Sequence, residues 1–137
     1  MGTFVRTIFL YMQFNHIALS VSDLQRSVSF YRQHFGFLPD GQFTKPSGLK
    51  FCFIKRDTIR LELFECKDSK RPNDDRNDLR IIGLRHLAFR VDDLNREVEK
   101  LKQAGLEFNR VEQGTSCKSF SFTSDPDGIA IELYEDN

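Results

Sequence analysis

Hydrophobic and polar residues alternate along two short stretches that resemble each other. Residues 14–21 read FNHIALSV and residues 84–91 read LRHLAFRV, and each shows a period of two that predicts a strand with one buried face. An aspartate two residues after each stretch is a candidate N-cap, and apolar residues then recur at helical spacing over about 24–35 and 94–104. Gly36 and Gly105 are expected to end these helices.

The rest of the pattern predicts three more strands after each helix. They are expected near 37–44, 50–55 and 58–65 in the first half of the chain, and near 107–113, 117–123 and 129–135 in the second half. A charged stretch without periodicity separates the halves. The order βαβββ therefore occurs twice, which predicts an α+β fold in one domain over 1–137. We define a first module (about 12–66), a connector (67–83) and a second module (about 84–137).

The two modules are copies related by a fixed offset of 70 residues. The offset holds in two separated segments, 16–33 against 86–103 and 59–65 against 129–135, which is the signature of an internal duplication. The identical pairs are His16/His86, Ala18/Ala88, Val21/Val91, Asp23/Asp93, Leu24/Leu94, Arg26/Arg96, Val28/Val98, Gln33/Gln103, Ile59/Ile129, Glu62/Glu132, Leu63/Leu133 and Glu65/Glu135.

Strand alternation places one histidine and one glutamate of each module on the face away from its helix. These residues are His16, Glu62, His86 and Glu132. A buried carboxylate without a partner is unfavourable, and a divalent cation would compensate for its desolvation. Two imidazoles and two carboxylates suit a six-coordinate Ni, Co, Zn, Mn or Fe ion better than a sulfur-rich zinc site. Metal ligation is thus expected of all four.

Composition excludes several other classes of function. Among the 137 residues, 20 basic side chains balance 20 acidic ones, which gives no indication of a nucleic-acid partner. No apolar run reaches the roughly 20 residues of a transmembrane helix, and no signal peptide is expected. Three cysteines without C-x-x-C spacing favour a cytoplasmic location with reduced thiols. Residues 1–11 are interpreted either as a native extension, such as an added edge strand, or as the result of an upstream start, with Met12 as the alternative start.

The motifs GLRHLAFRVDD (83–93), LELFE (61–65) and DPDGIAIELYE (125–135) resemble those of the vicinal oxygen chelate superfamily, which includes glyoxalases, bleomycin resistance proteins and extradiol dioxygenases. The resemblance runs from about Phe14 to Glu135 and is closest to small bacterial glyoxalase I-like proteins. It implies two βαβββ modules that form a curled mixed sheet around one divalent metal ion. It also implies a homodimer, a small-molecule substrate and a proton-transferring role for Glu132, with Glu62 as its symmetry-related partner.

The implied activity is that of a metal-dependent lyase or isomerase of the glyoxalase I type, similar to lactoylglutathione lyase. Its substrate would be a metal-chelated hydroxy-carbonyl compound or thiol hemiacetal. The alternatives are an Fe(II)-dependent dioxygenase of the same fold and a non-catalytic protein that binds a small ligand of the antibiotic type. Ser20 and Cys66 stand where glutathione-using members often have Arg and Asn, which leaves the use of glutathione open.

Further roles are assigned to residues near the four candidate ligands. Substrate contacts are expected from Arg60, Phe64, Arg90 and Lys118. The fourteen phenylalanines, including those at 51, 53, 120 and 122, are expected to be mostly core residues, with one or two lining an apolar pocket. Glu65 and Glu135, on the other face of their strands, are expected to have a solvated structural role. Whether the metal site forms within one chain or is exchanged between two is not decided by the sequence.

Overall fold

Each module folds as a strand, a helix and three further strands in the computed structural model, which describes residues 12–66 and 68–137. The expectation about residues 1–11 lies outside this range. The first module contains β1 (Ile17–Val21), α1 (Leu24–Phe35), β2 (Leu38–Thr44), β3 (Lys50–Arg56) and β4 (Ile59–Glu65). The second contains β5 (Leu87–Arg90), α2 (Leu94–Gln103), β6 (Glu112–Gln113), β7 (Ser119–Ser124) and β8 (Ala130–Glu135). The α+β class and the repeated βαβββ order are confirmed. Within the described ranges, neither helix is long and apolar enough to cross a membrane.

Each module builds its own four-stranded mixed sheet. The strand orders are β1-β4-β3-β2 and β5-β8-β7-β6, and the first strand of each module pairs in parallel with the last. The duplication is preserved in the register, because Ala18 pairs with Glu62 and Ala88 pairs with Glu132. β1 and β5 are both edge strands, so each leaves one row of backbone groups without a partner strand in the described chain.

Both helices begin at a double cap. The Asp23 and Asp93 carboxylates accept hydrogen bonds from the amides of Arg26 and Arg96, at 3.0 and 3.1 Å. Oε2 of Glu65 accepts from the amide of Leu24 at 2.8 Å, and the same atom of Glu135 accepts from the amide of Leu94 at 2.9 Å. The repeated glutamates therefore have a structural role, as expected, but they cap helices rather than lie in solvent.

One predicted strand is much shorter than expected. The alternation predicts a strand near 107–113, whereas β6 covers Glu112–Gln113 alone. The chain before β6 still runs beside β7, but side chains replace most of the ladder: the hydroxyls of Ser121 and Thr123 donate to the carbonyls of Asn109 and Glu107, at 2.8 and 2.6 Å. These bonds satisfy the carbonyls without strand geometry.

The two modules share one buried core and a buried polar link. Phe35 at the end of α1 packs on Phe89 of β5, with ring centroids 4.8 Å apart. The Tyr31 hydroxyl donates to Oδ2 of Asp125 at 2.9 Å, and Oδ1 of Asp125 accepts from the amides of Asp127 and Ile129. Burial raises the pKa of the Asp125 carboxyl above its ordinary value. This side chain therefore joins α1 of the first module to the turn before β8.

Replacing Asp125 should destabilise the protein strongly. Asp125→Ala leaves one hydroxyl and two amides without their acceptor in a buried site, so the free energy of unfolding should fall by about 3 kcal/mol. Chemical denaturation monitored by circular dichroism measures this change. Ser22→Ala is the matched control, because its hydroxyl donates to Asp127 in the same turn at an exposed position, and its cost should stay below about 1 kcal/mol. Equal effects of the two substitutions would show that the buried link contributes little.

Candidate metal centre

Each module brings its histidine into contact with its glutamate. His16 Nε2 lies 3.5 Å from Glu62 Oε1, and His86 Nε2 lies 2.8 Å from Glu132 Oε2. Both glutamates are largely buried, whereas about a third of each histidine side chain is exposed. Each histidine stands one residue before its strand rather than in mid-strand, yet it keeps the face that alternation predicts. We refer to His16 with Glu62 as the first half-site and to His86 with Glu132 as the second.

A phenylalanine supports each histidine ring. Phe53 meets His16 edge to face at a centroid distance of 5.3 Å, and Phe122 meets His86 in the same way at 5.1 Å. In the register, Phe53 pairs with Glu62 and Phe122 pairs with Glu132. These two phenylalanines, with Phe51 and Phe120, therefore lie outside the buried core that was expected for most of the phenylalanines, whereas Phe120 and Phe122 do line a cavity, as expected of one or two of them. The intervening residues of β3 and β7 are the buried ones, namely Cys52, Ile54, Ser121 and Thr123.

Asn15 orients the imidazole of the first half-site. His16 Nδ1 lies 2.6 Å from Asn15 Oδ1. When Nδ1 carries the proton it donates to this oxygen, which leaves the lone pair of Nε2 directed toward Glu62. A hydrogen bond of this kind is the usual support of a metal-binding histidine. In this tautomer the first half-site would present one nitrogen and one carboxylate in the form that a cation requires.

The spacing within the first half-site fits two ligands of one cation. Two ligand atoms that each lie about 2.1 Å from an ion are separated by roughly 3–3.5 Å. The 3.5 Å between His16 and Glu62 matches this separation, whereas the 2.8 Å between His86 and Glu132 is shorter and is the distance of a hydrogen bond. Among residues 12–66 and 68–137, however, no three His, Cys, Asp or Glu side chains gather closely enough to hold an ion. The structure brings together the members of each pair, but it does not bring the two pairs together.

A cleft of about 660 Å³ lies between the modules. It is bordered by β1, by the chain around the start of β5 and by the connector, and His86 lies on its wall. Residues of β1 and of the start of β5 line this cleft, and no ladder joins the two sheets in the described chain.

A cavity of about 500 Å³ lies beside the second half-site. His86, Glu132, Phe120, Phe122 and Tyr134 line it from the sheet. The opposite wall includes connector residues Arg76 and Leu79 together with Arg110. Neither arginine forms an ion pair with any residue of the described ranges, so both guanidinium groups are available to an anion. Sequence reasoning missed them because the connector has no periodicity that would assign its side chains to a face.

The four residues expected to contact substrate differ in position. Arg60 lies at the first half-site, where its guanidinium stacks on Phe53 at 3.6 Å and its Nε donates to Asp40 at 2.8 Å. Phe64 shares that face and stacks on Phe51. Arg90 and Lys118 do not line the cavity within the described chain. Arg90 is exposed and 3.3 Å from Asp136, and Lys118 contacts Glu135, the residue that caps α2.

Comparison with known proteins gives consistent matches over nearly the whole chain. Residues 13–133 match the model of the Glyoxalase/Bleomycin resistance protein/Dioxygenase superfamily. YwkD of Bacillus subtilis is 32% identical over 124 residues, which cover 88% of this chain and 94% of YwkD. A lactoylglutathione lyase of Neisseria meningitidis serogroup A is 29% identical over 141 residues, covering 90% and 91%. The crystal structure of a glyoxalase family protein from Enterococcus faecalis has a TM-score of 0.77 and 26% identity, covering 91% and 98%.

Proposed function

Since this chain belongs to the Glyoxalase/Bleomycin resistance protein/Dioxygenase superfamily, we propose that it is a divalent-metal-dependent lyase or isomerase of the glyoxalase I type. The observation that carries the proposal is the presence of two His–Glu pairs at equivalent positions, each with its histidine nitrogen and glutamate oxygen no more than 3.5 Å apart. His16, Glu62, His86 and Glu132 would hold one Ni, Co, Zn, Mn or Fe ion. Four ligands leave two positions of an octahedral ion for the substrate.

The surroundings of Glu132 suit proton transfer. A cation bound there would polarise two neighbouring oxygens of a hydroxy-carbonyl compound or thiol hemiacetal and so acidify the carbon-bound proton. Glu132 faces the cavity and would accept this proton and return it to the adjacent carbon. Phe120 and Phe122 form an apolar wall that limits access of water to the carboxylate. Arg76 and Arg110 on the opposite wall favour a substrate with an anionic group.

We further propose that the ligand set is completed by a second copy of the chain. One chain does not assemble more than two of the candidate ligands in its described part. The free edges of β1 and β5 can pair with each other between copies, and Phe14 and Leu84, just before the two histidines, are each 80% exposed. His16 and Glu62 of one chain would then meet His86 and Glu132 of the other in a homodimer.

Metal content and turnover together test the proposed activity. The wild-type protein should contain about one equivalent of Ni, Co, Zn, Mn or Fe per chain by ICP-MS, and the loaded protein should convert hemithioacetals of methylglyoxal. His86→Ala should lose the metal, whereas His34→Ala should keep it, because the third histidine of the chain lies in α1. Oxygen uptake by the Fe(II) form without isomerisation would favour the dioxygenase alternative. Folded protein that takes up no metal would contradict the enzyme proposal.

A further inference from the structure

Three phenylalanines form a continuous strip across the sheet of the first module. Phe43 of β2 pairs with Phe51 of β3, which pairs with Phe64 of β4. The rings of Phe43 and Phe51 are stacked with centroids 5.3 Å apart and planes inclined by 25°, and those of Phe51 and Phe64 are 5.3 Å apart and inclined by 29°. We call these three residues the aromatic strip.

The aromatic strip lies next to the first half-site on the same face. Phe51 and Phe64 each stand two residues from the pair Phe53 and Glu62, so the strip begins one row, or roughly 7 Å, from the candidate ligand. Phe53 itself contacts the His16 ring. A molecule bound through oxygens at the metal site would therefore extend over the strip when its body points toward β2.

Packing of the fold does not account for the strip. The opposite face of the same strands supplies the buried core, with Cys52, Ile54, Leu61 and Leu63 all under 10% exposed. Phe43 is 49% exposed. The second module fills the same row with Glu112, Phe120 and Tyr134, so the duplicated fold does not require a third aromatic ring there. Phe51 and Phe64 are half-buried, and leaving the Phe43 ring open to water is unfavourable unless something covers it.

The ammonium group of Lys45 lies over two rings of the aromatic strip. Lys45 Nζ lies 5.7 Å from the centroid of Phe64 and 5.9 Å from that of Phe51. Its ammonium makes cation–π contacts with both rings and forms no ion pair with any residue of the described ranges, so no carboxylate there neutralises its charge. Arg60, on the far side of Glu62, is instead held by Asp40. The strip thus combines a flat apolar surface with one positive charge.

We propose that the aromatic strip binds the aromatic body of the substrate, and that Lys45, beside Phe51 and Phe64, binds an anionic group of the same molecule. The substrate class is an aryl-substituted compound with two neighbouring oxygens and a carboxylate or phosphate. This inference rests on the proposed function, because the two oxygens are assigned to the metal held by His16, Glu62, His86 and Glu132. It deepens that function by naming the part of the substrate that the first module selects.

Two hydroxamates distinguish binding to the aromatic strip from binding to the metal ion. Acetohydroxamate and benzohydroxamate present the same pair of oxygens and differ in the ring, so their affinities for the metal-loaded protein are compared by calorimetry. Benzohydroxamate should bind at least about tenfold more tightly. Phe43→Ala should reduce this preference severalfold and leave the Kd of acetohydroxamate unchanged. Leu38→Ala is the control, since it removes another exposed apolar side chain of β2 and should preserve the preference.

The role of the Lys45 charge in ligand binding is tested with 4-carboxybenzohydroxamate. It should bind the wild-type protein several times more tightly than benzohydroxamate, and Lys45→Met should abolish this difference. Equal affinity of acetohydroxamate and benzohydroxamate would overturn the strip proposal alone. Failure of both hydroxamates to bind would overturn the metal site and the substrate proposal with it. A Phe43→Ala variant that shifts the monomer–dimer equilibrium but keeps the hydroxamate preference would show that the strip is a contact between copies, which also overturns the proposal.

Discussion

Co-expression of two metal-free variants is expected to restore metal binding. His16→Ala/Glu62→Ala removes the first half-site and His86→Ala/Glu132→Ala removes the second, so each variant alone should retain less than about a tenth of an equivalent of metal. A mixed dimer contains one site with four ligands and one site with none. With random pairing of the chains, about a quarter of the wild-type metal content per chain should return. ICP-MS of protein carrying two different affinity tags, purified through both, measures the mixed dimer directly.

The reason for this expectation is the arrangement of the half-sites in one chain. Each holds its histidine and glutamate no more than 3.5 Å apart, but no third His, Cys, Asp or Glu joins either of them in residues 12–66 and 68–137. Two ligands hold a divalent ion far more weakly than four, so neither half should suffice. The matched control co-expresses two differently tagged copies of the same variant, which should stay metal-free. Doubly purified mixed dimers without metal would show that the site forms within one chain by closure of the cleft between the modules.

Much of the fold could be predicted from the sequence because each boundary of the repeated unit is indicated twice, once in each module. The same strand-to-helix boundary is marked in both modules by the pairs Val21/Val91, Asp23/Asp93 and Leu24/Leu94. A wrong boundary in one module would therefore disagree with the boundary in the other. α1 spans Leu24–Phe35, as the periodicity predicts. β6 is the exception, since its neighbours use the hydroxyls of Ser121 and Thr123 in place of backbone bonds, and hydrophobic alternation carries no signal for such contacts.

The candidate site could be predicted only in part by the same reasoning from hydrophobic patterns. Alternation assigns a face to Glu62 because polar and apolar residues differ along β4, but β3 reads Phe-Cys-Phe-Ile, with apolar residues on both faces. The register resolves this ambiguity, because Ile54 pairs with buried Leu61 and Phe53 pairs with Glu62. Relative placement of the half-sites is a property of packing between modules, and no local pattern encodes it.

The second large effect is expected from Glu132→Gln. This change keeps the shape of the side chain and removes its capacity to accept a proton, so kcat should fall by about 10²–10⁴ in protein saturated with metal. Glu62→Gln makes the same chemical change at the duplicate position and should lower kcat by less than about tenfold, although it weakens metal binding. Steady-state kinetics with metal content measured on each sample gives the comparison.

The asymmetry between the two glutamates comes from their surroundings. Glu132 lines the 500 Å³ cavity together with Phe120, Phe122 and the connector, whereas Glu62 is not part of that cavity's wall. A base must reach the reacting carbon, so the glutamate that faces the cavity is the one expected to move the proton. Exchange of the carbon-bound proton with deuterated solvent gives a second readout, and it should be lost in Glu132→Gln and retained in Glu62→Gln. The reverse pattern would assign the base to the first half-site, and equal losses in both variants would reduce the two glutamates to metal ligands alone.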